Sequence, residues 1–100
     1  LLIGSGSLTH NLAELDWQAG NDHAADWAVS FCQWMLAQIE SNDAAALNDY
    51  RRLAPHAVRN HPSDEHLLPL FFARAAGERF SLVHQGFTYG ALGMDIYRFD

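Results

Sequence analysis

Apolar residues along this 100-residue chain fall into segments of distinct period. The opening Leu1–Ile3 is a short continuous apolar run broken by Gly4 and Gly6, which reads as the end of a buried strand. Asn11–Trp17 has no sustained period and reads as a short helical turn or loop. From about Ala24 to Glu40 the apolar positions 28, 31, 32, 35 and 39 recur at the helical spacing, and Trp27 and Trp34 widen the stripe. Asn21 and Asp22 stand where a helix cap belongs. A second helix is predicted after Ser41 and Asn42, from about Asp43 to Leu53, with Leu47, Tyr50 and Leu53 inward and Pro55 as its stop.

Residues 55–63, PHAVRNHPS, are dense in turn formers and histidine and read as a loop. A third helix follows. Proline is tolerated in a first turn but costs about 3 kcal/mol in a helix interior. Pro69 therefore places the start near Glu65–Leu67, and Gly77 stops the helix after about Ala76. Two strands close the chain, about Phe80–His84 and about Leu92–Arg98, with Gly86, Gly90 and Gly93 in and around the connection. Strand, helices and strands in this order predict a single α/β or α+β domain.

Composition narrows the functions open to such a domain. Hydrophobic residues make up 49% of the chain and aromatics 12%, enough for a packed core. Six arginines and no lysine stand against twelve carboxylates, for a net charge of −6. A nucleic-acid binder needs a basic face, so that class is excluded as an expectation. The longest apolar stretch, LLPLFFA at 67–73, is too short for a membrane span and holds a proline. The single cysteine, Cys32, cannot form an internal disulfide and fits a reducing, cytoplasmic setting. Its neighbours Trp27, Phe31, Trp34 and Met35 mark it as a buried apolar thiol. A chain that begins inside an apolar run without an initiator methionine reads as a piece of something longer.

Two stretches carry candidate chemistry. The first is Gly4 to Asn11, GSGSLTHN. A phosphate loop of the Walker kind needs a lysine, and the dinucleotide fingerprint needs a third glycine where Thr9 stands. A nucleophile elbow needs G-x-S-x-G, which G-S-G-S does not satisfy. What remains is a tight turn at a strand end, either a generic connection with His10 on the surface or a holder for that imidazole. The second stretch is HPSDEH, His61 to His66, where Glu65 and His66 offer oxygen and nitrogen donors for a divalent metal at a helix start. Its spacing is not that of H-E-x-x-H, and a solvated loop is the competing reading. His56 lies just upstream of this cluster, and His23 and His84 have no partner signature and read as structural.

Together, GSGSLTHNL, Trp17, HPSDEHLLPLFFARAAG and GFTYGALGMDIYRF resemble the C-terminal part of the LigB-type (class III) extradiol ring-cleavage dioxygenases, most nearly the DOPA-type branch. The resemblance covers essentially the whole chain. It implies the C-terminal portion of an α/β domain with a central mixed sheet flanked by helices, here residues 1–100 of a single catalytic domain. It implies a non-haem Fe(II) or Zn(II) site that takes a catechol-type substrate and O2 and opens the ring beside the diol. His10 matches the family's near-metal acid/base histidine, a task suited to a group of pKa near 6.5. His66 matches the C-terminal metal ligand, with Glu65 as the alternative for that role. Asn11 is expected to orient the loop, and Pro62 and Pro69 to shape the ligand turn.

The chain departs from the family in lacking the N-terminal part, which brings two further metal-binding histidines. His10, His66 and Glu65 would then supply part of a metal site that needs at least three protein ligands. Two other readings stand beside the enzyme: a metal-binding or structural module on the same fold, and a helical interaction domain built on the Trp-rich helix. Self-association through the free edge of Leu1–Ile3 is an expected consequence of the missing part.

Overall fold

The structure, a computed structural model, describes residues 1–100. Helix α1, Asp26–Glu40, is its longest element, and it buries Ala28, Phe31, Cys32, Met35 and Ile39, the stripe read from the sequence. Its start differs from the predicted cap at Asn21 and Asp22. Ala25 precedes the first turn with no side-chain cap, and the Ala25 N–H donates to the Gly90 carbonyl at 2.6 Å. A tertiary bond to Gly90, not a side-chain cap, fixes the residue before the helix.

The predicted helix 43–53 is two pieces, α2 (Ala44–Asn48) and α3 (Tyr50–Leu53). Asp43 caps α2 by accepting from the Ala46 N–H at 3.0 Å. The break falls at Asp49, and the two pieces still turn Leu47 and Tyr50 into the core. Within the predicted 55–63 loop lies a further turn of helix, α4 (Ala57–Asn60), entered from His56 in the left-handed conformation (φ 55°). Helix α5, Leu68–Arg74, carries Pro69 in its first turn, where a missing N–H costs nothing. The helix ends at Arg74 with Ala75 as its cap, before Gly77 and without the left-handed cap expected there; Gly77 is needed for another reason. A Cβ on Gly77 would lie 2.6 Å from the Phe99 carbonyl carbon, because the chain end passes at contact distance.

Strand β1, Phe80–His84, has the predicted bounds, whereas the second predicted strand resolves into shorter pieces. These are β3 (Leu92–Gly93) and β4 (Ile96–Phe99), and a further short strand, β2 (Phe87–Thr88), lies in the predicted connection. In place of one central mixed sheet there are two antiparallel ladders, β1 with β4 and β2 with β3. Phe80 pairs with Phe99 and Leu82 with Tyr97, with an irregularity before His84 pairs with Ile96. The β2–β3 turn needs left-handed backbone at Tyr89 (φ 50°) and Gly90 (φ 75°).

The Leu1–Ile3 strand does not form. Those residues are exposed and line an open groove shared with Ile96–Asp100, without pairing to them. A strand needs a hydrogen-bonded neighbour and a covered face, and here it has neither. From Ser7 onward the same segment turns inward: Leu8 joins Phe31, Met35, Ile39, Leu47, Tyr50 and Leu67 in one apolar core, and Thr9 is fully buried. Helices and strands pack as an α/β unit with one core. No helix is long and apolar enough to cross a membrane.

Candidate functional site

The two stretches singled out in the sequence meet. The imidazoles of His10 and His66 stack with ring centroids 3.5 Å apart and planes 15° from parallel. Both residues are partly exposed, so the pair is open to solvent. Glu65 is exposed beside them, with one carboxylate oxygen 3.6 Å from His66 Nε2 and accepting from the Ser63 hydroxyl at 2.9 Å. The loop reading of HPSDEH is thus half right: Pro62–Glu65 is solvated, while His66 is held against the body of the protein.

The glycine-serine loop achieves this by close approach of backbones. A Cβ on Gly6 would fall 2.2 Å from the His66 carbonyl oxygen, and one on Gly4 would fall 2.4 Å from the Pro69 carbonyl oxygen. Neither glycine has positive φ, so the demand is space and not backbone handedness. With that space, the Ser7 N–H donates to the His66 carbonyl at 2.8 Å. Thr9 then locks the loop to the β3 segment: its hydroxyl donates to the Ala91 carbonyl at 2.7 Å and accepts from the Gly93 N–H at 2.6 Å. Asn11 fastens the far end, donating to the Arg59 carbonyl at 2.7 Å and accepting from the Ala13 N–H to cap the short 3-10 turn Leu12–Glu14.

Electrostatics favour an uncharged His10. Burial holds its pKa below the ordinary histidine value, the neighbouring His66 adds to that, and its own backbone bond and Glu65 oppose it more weakly. Glu65 titrates below the usual carboxylate range, chiefly through the Ser63 hydroxyl and a backbone N–H. Arg59 faces Glu14 at 2.7 Å and lies over the Trp27 ring, so the cation nearest to Asn11 is already engaged.

Two residues escaped the sequence reading. Asn60 and His61 are both completely buried. His61 Nε2 lies 2.7 Å from the Leu8 carbonyl, which makes it the protonated nitrogen, and its ring packs against Phe31 at 5.6 Å. The Asn60 side-chain amide donates to the Trp27 and His56 carbonyls, and the Asn60 backbone carbonyl accepts the His10 N–H at 2.9 Å. Nothing in a loop-like string of turn formers marks either as interior. His23, His56 and His84 are exposed and remote in role from the pair.

No family model matches the chain. Over 102 residues it is 33% identical to a Beta vulgaris protein named 4,5-DOPA dioxygenase extradiol, an alignment covering 99% of this chain and 37% of that protein. A Mirabilis jalapa protein of the same name is 33% identical over 103 residues, covering 99% and 38%. The chain is similar along its whole length to part of these DOPA-type extradiol dioxygenases. It spans less than two-fifths of the length of these curated relatives. The fold has a counterpart in the crystal structure of an uncharacterized protein from Escherichia coli K12, with a TM-score of 0.74 and 22% identity over 94% of this chain and 41% of that one.

The donor types near the loop are those an Fe(II) or Zn(II) ion accepts: two imidazoles and a carboxylate. They do not form a group of three or more His, Cys, Asp or Glu side chains converging on one point. The stack itself shows why. Imidazole lone pairs lie in the ring plane, and two nearly parallel planes about 3.5 Å apart cannot both contain one ion at the roughly 2.0–2.1 Å of a metal–nitrogen bond. One ring of the pair can ligate, and the other then presents its nitrogen alongside.

Proposed function

We propose that the chain is the C-terminal part of a ring-opening extradiol dioxygenase, in which His66 is a metal ligand and His10 the acid/base group beside it. The stacked His10–His66 pair carries this reading, because its geometry divides the two imidazoles between those tasks. Glu65 serves as a charged neighbour of His66 and is the alternative ligand. The donors fit an Fe(II) or Zn(II) site in kind but not in number, so the proposal requires further ligands from outside these 100 residues. When bound, such an ion supplies Lewis acidity toward a catechol-type substrate and a path for electrons to O2.

The work of the chain's own residues follows from the site. His10, kept uncharged by burial and by His66, is ready to accept the proton of a catechol hydroxyl near neutral pH and to return it later. The loop bonds of Ser7, Thr9 and Asn11 hold that ring at a fixed height over His66. Glu65 offsets positive charge that His10 gains when it takes the proton.

The test is ring opening of a catechol by the full-length protein with Fe(II), followed as a coloured product together with metal content. Loss of turnover with metal retained in His10→Ala, and loss of bound metal in His66→Ala, are expected. Full turnover in His10→Ala would overturn the acid/base role. Metal binding without any ring opening would leave a metal-binding module on the same fold.

A further inference from the structure

We propose that Asn60 and His61 form a buried clamp that positions His10 over His66. The pair sits at the end of α4 and grips the His10 loop on both sides of Thr9. The His61 Nε2–H donates to the Leu8 carbonyl at 2.7 Å, and the His10 N–H donates to the backbone carbonyl of Asn60 at 2.9 Å. A third bond, Ser7 N–H to the His66 carbonyl at 2.8 Å, joins the same loop to the residue against which His10 stacks. Residues about fifty positions apart are thus brought into register, with both imidazoles tied through their backbones.

The clamp is rigid because its own side chains are anchored in the longest helix. The Asn60 amide donates to the Trp27 carbonyl of α1 and to the His56 carbonyl at the start of α4, while the His61 ring packs on Phe31. Arg51 donates to the His61 carbonyl at 3.0 Å and fixes the backbone from α3. Buried polar side chains of this kind persist where their hydrogen bonds specify one arrangement. The bond from His61 to Leu8 also sets its tautomer, since a proton on Nε2 leaves Nδ1 unprotonated, and Nδ1 is buried with no acceptor to receive a hydrogen. Precision is what a stacked pair demands, because misplacement of a catalytic group by 1 Å can cost roughly a hundredfold in rate.

The geometric part of the proposal stands without any assumption about activity; its consequence for turnover rests on the acid/base role of His10. The experiment uses histidine-labelled full-length protein. Long-range proton–nitrogen correlation is expected to show His61 protonated on Nε2 with slow solvent exchange, and an Nδ1-protonated ring would overturn the clamp. Ring-to-ring NOEs between His10 and His66 then read the stack directly. His61→Gln, whose amide reaches the position of Nε2, is expected to keep them. His61→Leu, of similar volume but without a donor, is expected to weaken them roughly fourfold, as a loosening of about 1 Å would do. Wild-type NOEs in a folded His61→Leu protein, or their loss in a folded His61→Gln protein, would each refute the proposal. Where His61→Leu fails to fold, the tautomer and the glutamine variant decide. In turnover, His61→Leu should lower kcat with KM little changed and His61→Gln should restore it. A lost stack with unchanged kcat would refute the role of His10 and leave the clamp intact.

Discussion

Gly6→Ala is the sharpest probe of how the site is built. The added Cβ would lie 2.2 Å from the His66 carbonyl oxygen and 3.1 Å from Pro69 Cγ, where ordinary contact begins at 3.4 Å. The neighbour at 2.2 Å is backbone at the approach to α5 and cannot rotate away, so the two segments must part by about 1 Å. That separation stretches the Ser7 N–H bond to His66, now 2.8 Å. A lost hydrogen bond contributes about 0.5–1.5 kcal/mol, and overpacking adds about 1–3 kcal/mol. The expected destabilisation is therefore roughly 2–4 kcal/mol, a large share of the 5–15 kcal/mol typical of a domain. Urea denaturation followed by tryptophan fluorescence measures it, and NOEs between the His10 and His66 rings report whether the stack survives. Gly20→Ala is the matched control, since its Cβ meets only the movable end of the Asp22 side chain at 3.0 Å. Equal stability of the two variants, with the stack unchanged in both, would refute close approach as the reason for the glycine.

Thr9→Val keeps the side-chain shape but strands the buried Ala91 carbonyl and Gly93 N–H, and is expected to cost about 2–4 kcal/mol in denaturant midpoint analysis. Stability should fall as pH drops below about 6.5. Above that value His61 is neutral in both states, and below it the unfolded chain takes up a proton that the buried native ring resists, at up to about 1.4 kcal/mol per pH unit for one group. Burial gives His10 the same sign, and a pH series of urea midpoints should flatten in His61→Gln. Cys32 is buried and its thiol pKa is pushed up by burial and by Asp95, so a disulfide-exchange reagent should label it only at the rate of protein opening.

Legibility in the sequence tracks the length over which a local pattern persists. Helix α1 runs fifteen residues, long enough for the 3.6-residue period to declare itself, and its buried set is the one the spacing predicts. Strand β1 is bounded by Gly77 and Gly86 and was equally readable. Helix α4 spans four residues, too few for any period, and so hid inside a run of turn formers. The Leu1–Ile3 run has the composition of a strand, but strand formation depends on a partner that local sequence does not name. His10 and His66 were legible from two motifs taken together, although neither motif alone showed that the rings touch. His61 was not legible at all, because its burial depends on Leu8 and Phe31, which lie 53 and 30 positions away.

The opening glycines show how one composition can serve an unrelated end. Glycine- and serine-rich turns after an apolar run invite a ligand-cradling reading, in which bare N–H groups face an anion. Here the Ser7 N–H is already spent on the His66 carbonyl, and the His10 N–H on that of Asn60. The missing Cβ atoms admit protein backbone instead of a phosphate. This has a consequence for charge. A phosphate cradle would add positive potential beside His10, whereas here the N–H groups of Ser7 and His10 already point at protein carbonyls. His10 is left to be governed by its own burial, by His66 and by Glu65. The arrangement that brings the two imidazoles into contact therefore also lowers the pKa of His10, which favours the neutral ring that the proposed acceptor of protons requires.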